Sequence, residues 1–195
     1  MDTSSSLAPA LLLSMPQLAD PNFNRTVVLL CRHNEEGAFG LVVNRPVVTS
    51  GPVMVQVRTD ATTERQTLET SEELQVWVGG PVEPQRSWIL VGNDEDAADQ
   101  ERGVSIVEGL YLSTSPELLR RVLGPTPPAR TRLIVGYSGW KSGQLEAELR
   151  ASAWLTSEVD RELIFGTPPD RMWETALRRL GADPSTLQMS SFEVH

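Results

Sequence analysis

The chain has 195 residues, a net charge of −9 and an apolar content of 39%. That length can bury a substantial core in one domain, and no apolar run reaches the length of a membrane span. The acidic balance repels polyanions, while a single cysteine rules out an intrachain disulfide framework and a cysteine-rich zinc site.

In chain order, residues 1–9 read as a flexible leader, 10–188 as one domain and 189–195 as a flexible tail. The opening MDTSSSLAPALLLSMP lacks a positive segment before its short apolar run, so no signal peptide is expected and the cytoplasm is the default location. Leu11–Ser14 reads as a first strand. Asp20 can cap a single helical turn that places Pro21 at its first position. Thr26–His33 and Gly37–Asn44 are β-rich runs joined by a turn at Asn34–Glu36, which makes a hairpin. Residues 47–75 are polar and threonine-rich, with a strand near Val53–Val57 and a loop around Asp60–Thr63.

Val76–Val78 and Trp88–Val91 are short strands flanking Gly79-Gly80-Pro81-Val82-Glu83-Pro84. The acidic run Asp94–Glu101 reads as a solvated loop. Val104–Val107 and Leu110–Ser113 suggest a further hairpin. Ser115 caps a helix with Pro116 at its first position and an apolar face of Leu118, Leu119, Val122 and Leu123. Arg132–Tyr137 is a strand, and Ser142 begins a helix carrying Leu145, Leu149 and Ala153. A last helix starts in a capping box at Thr167–Asp170 and buries Met172, Trp173, Ala176, Leu177 and Leu180, ending at Gly181. Strands precede helices without regular alternation, which predicts an α+β fold with a mainly antiparallel or mixed sheet.

Strand alternation puts Cys31 and His33 on one face, about 7 Å apart. An imidazole there could draw the thiol proton, giving a nucleophile or a redox-sensitive sulfur. The alternative is that Cys31 extends an apolar face while His33 begins the turn. Asn34, Gly37, Gly40, Asn44 and Arg45 line the same hairpin and are candidates for holding a polar or anionic ligand, as are Gly79 and Gly80 through their backbone N–H groups. Gly40 and Asn44 equally suit strand contact and strand termination. Gly136-Tyr-Ser-Gly-Trp140 follows a strand and precedes a predicted helix, but misses the nucleophile-elbow spacing by one residue, which argues against Ser138 as a nucleophile. Glu146 and Glu148 point to different helix faces and do not form an acid–base pair. The two histidines, His33 and His195, offer no metal-ligand spacing, so neither a metal nor a cofactor is expected. Arginine supplies every basic residue except Lys141, and no basic stripe is interleaved with aromatics, so direct nucleic-acid binding is not expected.

Several ordered segments resemble the YqgE/AlgH family of bacterial proteins. They are Met15-Pro16, Leu18–Phe23, Arg25–Val28, Cys31–Pro46, Gly79–Val82, Tyr111–Ser115, Gly136–Trp140, Gly143–Glu146 and Ala153–Thr156. The resemblance runs from about residue 7 to about residue 187 and departs most at residues 47–75. It implies an α+β fold with a bifurcated or barrel-like sheet surrounded by helices. It names no reaction, because the family has no established biochemical function, although some members carry a transcriptional-regulator label. Position 138 is often alanine in that family, which further weakens a serine nucleophile. Three readings follow. The favoured one is a binding or regulatory module that holds a small polar or anionic ligand, or a protein segment, in a cleft beside the Thr26–Asn44 hairpin. The second is a Cys31/His33 enzyme or redox sensor, and the third a DNA-associated regulator. Catalysis is not favoured, and no membrane partner is expected.

Overall fold

The computed structural model describes residues 6–18, 20–49, 53–58, 63–68, 74–92 and 103–189, with the backbone alone at 53–58, 63–68 and 188–189. The first residues of the leader, the tail beyond 189, the Asp94–Glu101 run and most of the loop expected around residue 60 lie outside the described residues. In chain order the strands are β1 (Ala10–Ser14), β2 (Val27–Asn34), β3 (Gly37–Val42), β4 (Pro46–Thr49), β5 (Val53–Arg58), β6 (Thr63–Leu68), β7 (Leu74–Val78), β8 (Val82–Val91), β9 (Val104–Val107), β10 (Leu110–Ser113), β11 (Thr131–Lys141) and β12 (Trp154–Ser157). The helices are α1 (Pro116–Val122), α2 (Gln144–Arg150), α3 (Arg161–Gly166), α4 (Pro169–Arg179) and α5 (Pro184–Met189), with a 3-10 turn at Pro21–Phe23. Most strand pairs are antiparallel; β7 with β11 and β5 with β8 are parallel. The fold is α+β, as the strand-then-helix order predicts.

Two compact units form, one from residues 1–45 and 138–195, the other from residues 46–137. In the first, β12, β1, β2, β3 and the end of β11 pair side by side. β1 and the first half of β2 are continuously buried, the pattern of strands covered on both faces. Leu12, Val28, Leu30, Val42, Trp140, Leu145, Ala153 and Trp154 form one core cluster. α4 packs on β1, and the Trp173 indole donates to the Ser14 carbonyl at 2.9 Å.

In the second unit, β4 pairs β7, and β7, the start of β11, β8, β10 and β9 continue the ladder. α1 lies on it, burying Leu118, Leu119 and Val122 against Val76, Ile89, Val91 and Leu133. Ser115 caps α1 by accepting from the Leu118 N–H, with Pro116 in the first turn, as its sequence signals.

Four expectations need correction. The strand expected over Arg132–Tyr137 continues as β11 to Lys141, so Gly136–Trp140 lies within it and Ser138 is buried opposite Gly40. Gly136 is instead a bulge at φ 70, because a Cβ there would lie 2.5 Å from the Gly80 carbonyl oxygen. α2 starts at Gln144 after Gly143 and ends at Arg150, so Ala153 lies beyond it. α4 has no side-chain cap, since Pro168 occupies the cap position, and Leu180 is 43% exposed rather than buried.

Candidate functional site

The family-resembling residues of the first unit meet around the 3-10 turn, the end of the β2–β3 hairpin and α2. Asp20 accepts from the Asn22 backbone N–H at 2.8 Å and closes the turn. The Arg45 guanidinium reaches back across it, donating to the carbonyls of Pro21 (3.3 Å), Asn24 (3.1 Å) and Asn22. Partial burial lowers the Arg45 pKa, and the Asp20 charge opposes that shift. Asn44 closes the hairpin: its Oδ1 accepts from the Val27 N–H at 2.9 Å and its Nδ2 donates to the Arg25 carbonyl at 3.0 Å. Thr26 Oγ1 donates to the Phe23 carbonyl at 3.0 Å.

These bonds hold Arg25 at φ 53, left-handed for a non-glycine residue. Its guanidinium lies 5.0 Å from the Trp173 ring centroid and pairs with Glu174. Pro21, Asn22, Asn24 and Arg25 are all exposed. An exposed segment is thus tied down from below at almost every residue.

Phe23 points inward onto an aromatic group. Its ring centroid is 6.4 Å from Trp140 and 5.4 Å from Trp154, and the two indoles are 5.9 Å apart. Glu148 on α2 binds both: one carboxylate oxygen accepts from Trp140 Nε1 at 2.9 Å and Trp154 Nε1 at 2.7 Å, and the other from Gln144 at 2.9 Å. Sequence reasoning missed Phe23, Trp140, Glu148 and Trp154 as a unit. No local pattern joins them, since Glu148 follows Trp140 in the sequence but Trp154 lies beyond the end of its helix.

Cys31 and His33 do not share a face. Leu30 pairs Gly40 but Arg32 pairs Phe39, so Cys31 is the extra residue of a β-bulge and the alternation reverses across it. His33, opposite Ala38, joins Val28 and Leu30, which face Val42 and Gly40. The cysteine sulfur donates to the Leu29 carbonyl at 3.4 Å, and burial pushes its pKa up to about 12. Burial thus favours the protonated thiol, the less nucleophilic form of the sulfur. The imidazole is also engaged. Nδ1 accepts from the Leu7 N–H at 3.1 Å, so the ring proton sits on Nε2, which donates to Glu146 at 2.8 Å. Glu146 is held below the usual carboxylate range by its own backbone N–H and then by His33. Glu146 and Glu148 therefore serve different partners.

The remaining hairpin candidates are occupied by structural contacts. Asn34 Oδ1 accepts from the Glu36 N–H at 3.0 Å, an Asx turn. A Cβ on Gly37 would lie 2.2 Å from the Trp140 carbonyl oxygen, and one on Gly40 would lie 2.8 Å from Val28 Cγ1 and 2.9 Å from the Leu29 carbonyl oxygen. Both glycines allow close strand contact. Gly79 and Gly80 belong to the second unit, where Gly79 N–H donates to the Val135 carbonyl at 2.8 Å and Gly80 packs its carbonyl against Gly136.

A family model described as AlgH-like matches residues 11–185. The chain belongs to the AlgH-like family. A UPF0301 protein of Myxococcus xanthus is 41% identical over 185 residues, spanning 94% of this chain and 96% of the relative. A UPF0301 protein of Paracoccus denitrificans is 38% identical over 189 residues, spanning 96% of each. The solution structure of the AlgH protein from Pseudomonas aeruginosa superposes with a TM-score of 0.64 at 31% identity, covering 96% of each chain. A Corynebacterium diphtheriae crystal structure gives 0.58 at 19% identity over 93% of this chain and 90% of that one, a likeness of fold alone. Within this AlgH-like chain, the bonds around the turn, the hairpin end and α2 account for the motif residues Asp20, Phe23, Asn44, Arg45, Trp140 and Trp154 as parts of one scaffold.

Proposed function

We propose that this protein is a non-catalytic binding module of the cytoplasm, acting in regulation through the exposed turn Pro21–Arg25, which recognises a protein segment. One observation carries the reading: an exposed turn, left-handed at Arg25, is fixed because its Pro21, Asn22 and Asn24 carbonyls accept from the Arg45 guanidinium and its Arg25 carbonyl accepts from the Asn44 amide. An exposed loop costs little when left mobile, whereas fixing it in one conformation lowers the ordering cost of binding. The groups it presents, two asparagines and an arginine over a tryptophan, suit hydrogen bonding to a polypeptide. The high Cys31 pKa and the occupied His33 ring speak against the enzyme or redox-sensor reading. A net charge of −9 speaks against direct DNA binding.

The test is site-specific photocrosslinking in the host cell. A photoreactive residue at position 24 should give a discrete adduct with one polypeptide, lost when Arg45→Ala frees the turn and absent when the residue is placed at position 108. No adduct at 24, or one indifferent to Arg45→Ala, contradicts the reading.

A further inference from the structure

The bonds of His33 reach beyond its own strand. Its side chain is 3% exposed, and it joins three parts of the first unit. Nδ1 accepts from the Leu7 N–H at 3.1 Å, Nε2 donates to Glu146 of α2 at 2.8 Å, and its backbone carbonyl accepts from Ser6 Oγ at 3.1 Å. Leu7 and Ala8 pack against the core cluster that contains Trp140 and Trp154. Residues 6–9 are thus laid over apolar surface and fastened at one imidazole.

We propose that residues 6–9 are an acid-released strap whose latch is His33. Because Nε2 already carries the ring proton, a second proton can enter only at Nδ1, the atom that accepts from Leu7. Protonation replaces that bond with two opposed N–H groups. Glu146 meanwhile bonds the cation more strongly, so the imidazolium stays in place while the strap leaves. The charged groups on the surrounding elements of the first unit are Glu146, Glu148 and Arg150 of α2, Lys141 at the end of β11, Arg32 of β2 and Glu35 and Glu36 in the adjoining turn; among them Glu146 bonds the ring. This inference concerns the leader and does not depend on what the Pro21–Arg25 turn binds.

The experiment is NMR on the full-length 15N-labelled protein. At about pH 8, long-range proton–nitrogen correlations should show the His33 ring in its Nε2–H form. Between about pH 8 and the lowest pH at which the protein stays folded, Leu7 amide protection should fall roughly tenfold, the equivalent of one hydrogen bond. His33→Asn offers an amide oxygen to Leu7 but cannot titrate, so its Leu7 protection should be the same at both pH values. Glu146→Gln should move the release to lower pH, since it weakens the partner of the cation. An Nδ1–H ring at pH 8, or Leu7 protection that does not change with pH, overturns the proposal. So does a pH dependence that survives in His33→Asn. Should that variant not fold, the two wild-type measurements decide alone.

Discussion

Replacing Glu148 with alanine removes the acceptor of two indole N–H groups at once. Trp154 is 2% and Trp140 6% exposed, so water has little access to replace it. A buried donor left unpaired costs about 1–3 kcal/mol. Glu148 is itself half-buried and gives back some hydration, so we expect a loss of about 2–4 kcal/mol for the pair. For a chain of this size that lowers Tm by about 10 °C. Glu148→Gln keeps one oxygen for the indoles but sets its amide nitrogen toward the Gln144 donor, and should cost about 1 kcal/mol. Urea unfolding followed by far-ultraviolet circular dichroism gives the stabilities, and tryptophan fluorescence reports the environment of the indoles. An alanine variant within about 0.5 kcal/mol of the wild type, well under the cost of one unpaired buried donor, would refute the clamp. A glutamine variant as damaged as alanine would also refute it, by showing that the charge rather than the shared acceptor matters.

Cys31 should alkylate slowly with iodoacetamide at pH 8, with no rate plateau near the ordinary thiol range; a midpoint there contradicts its burial. Because its folded pKa, about 12, exceeds the ordinary 9.0, the folded state holds the thiol proton longer than the unfolded chain as pH rises. Its contribution to stability therefore falls from about pH 9 upward, and Cys31→Ala should flatten that part of the stability–pH curve. Gly40→Ala forces a methyl against Val28 and the Leu29 carbonyl and should cost about 1–3 kcal/mol in urea unfolding; a neutral result would mean the strands can part. Asn44→Ala leaves the Val27 N–H and the Arg25 carbonyl without their side-chain partner and should cost about 1–3 kcal/mol, while Asn44→Asp, which keeps the acceptor, should recover part of the loss.

The elements that rest on neighbouring residues were legible in the sequence. The β2–β3 hairpin follows from two apolar runs and a short polar turn, and the Asp20 and Ser115 caps follow from residues only two or three positions away. What escaped depends on distant partners. The bulge at Cys31 adds one residue opposite Phe39 and leaves no mark on its own strand, yet it reverses which side chains share a face. Gly136 reads locally as a turn glycine, and only the Gly80 carbonyl, 56 positions earlier by sequence number, explains it as a bulge in a continuing strand. β12 was hidden because Ala153 continues the i, i+4 apolar spacing of α2 across a helix end set by tertiary structure. At the candidate site the sequence marked a segment and left the contacts of its residues open. Asn44 and Arg45 bind backbone carbonyls and an N–H seventeen to twenty-four positions away, which no local pattern displays.

If the turn at Pro21–Arg25 serves recognition, it is rigid before any partner binds. Backbone 15N order parameters of Asn22, Asn24 and Arg25 in the free protein test it most directly. Values near those of a rigid backbone, about 0.85, are expected, falling in Arg45→Ala while the β2–β3 hairpin stays unchanged. Values below about 0.6 in the wild-type protein would contradict it.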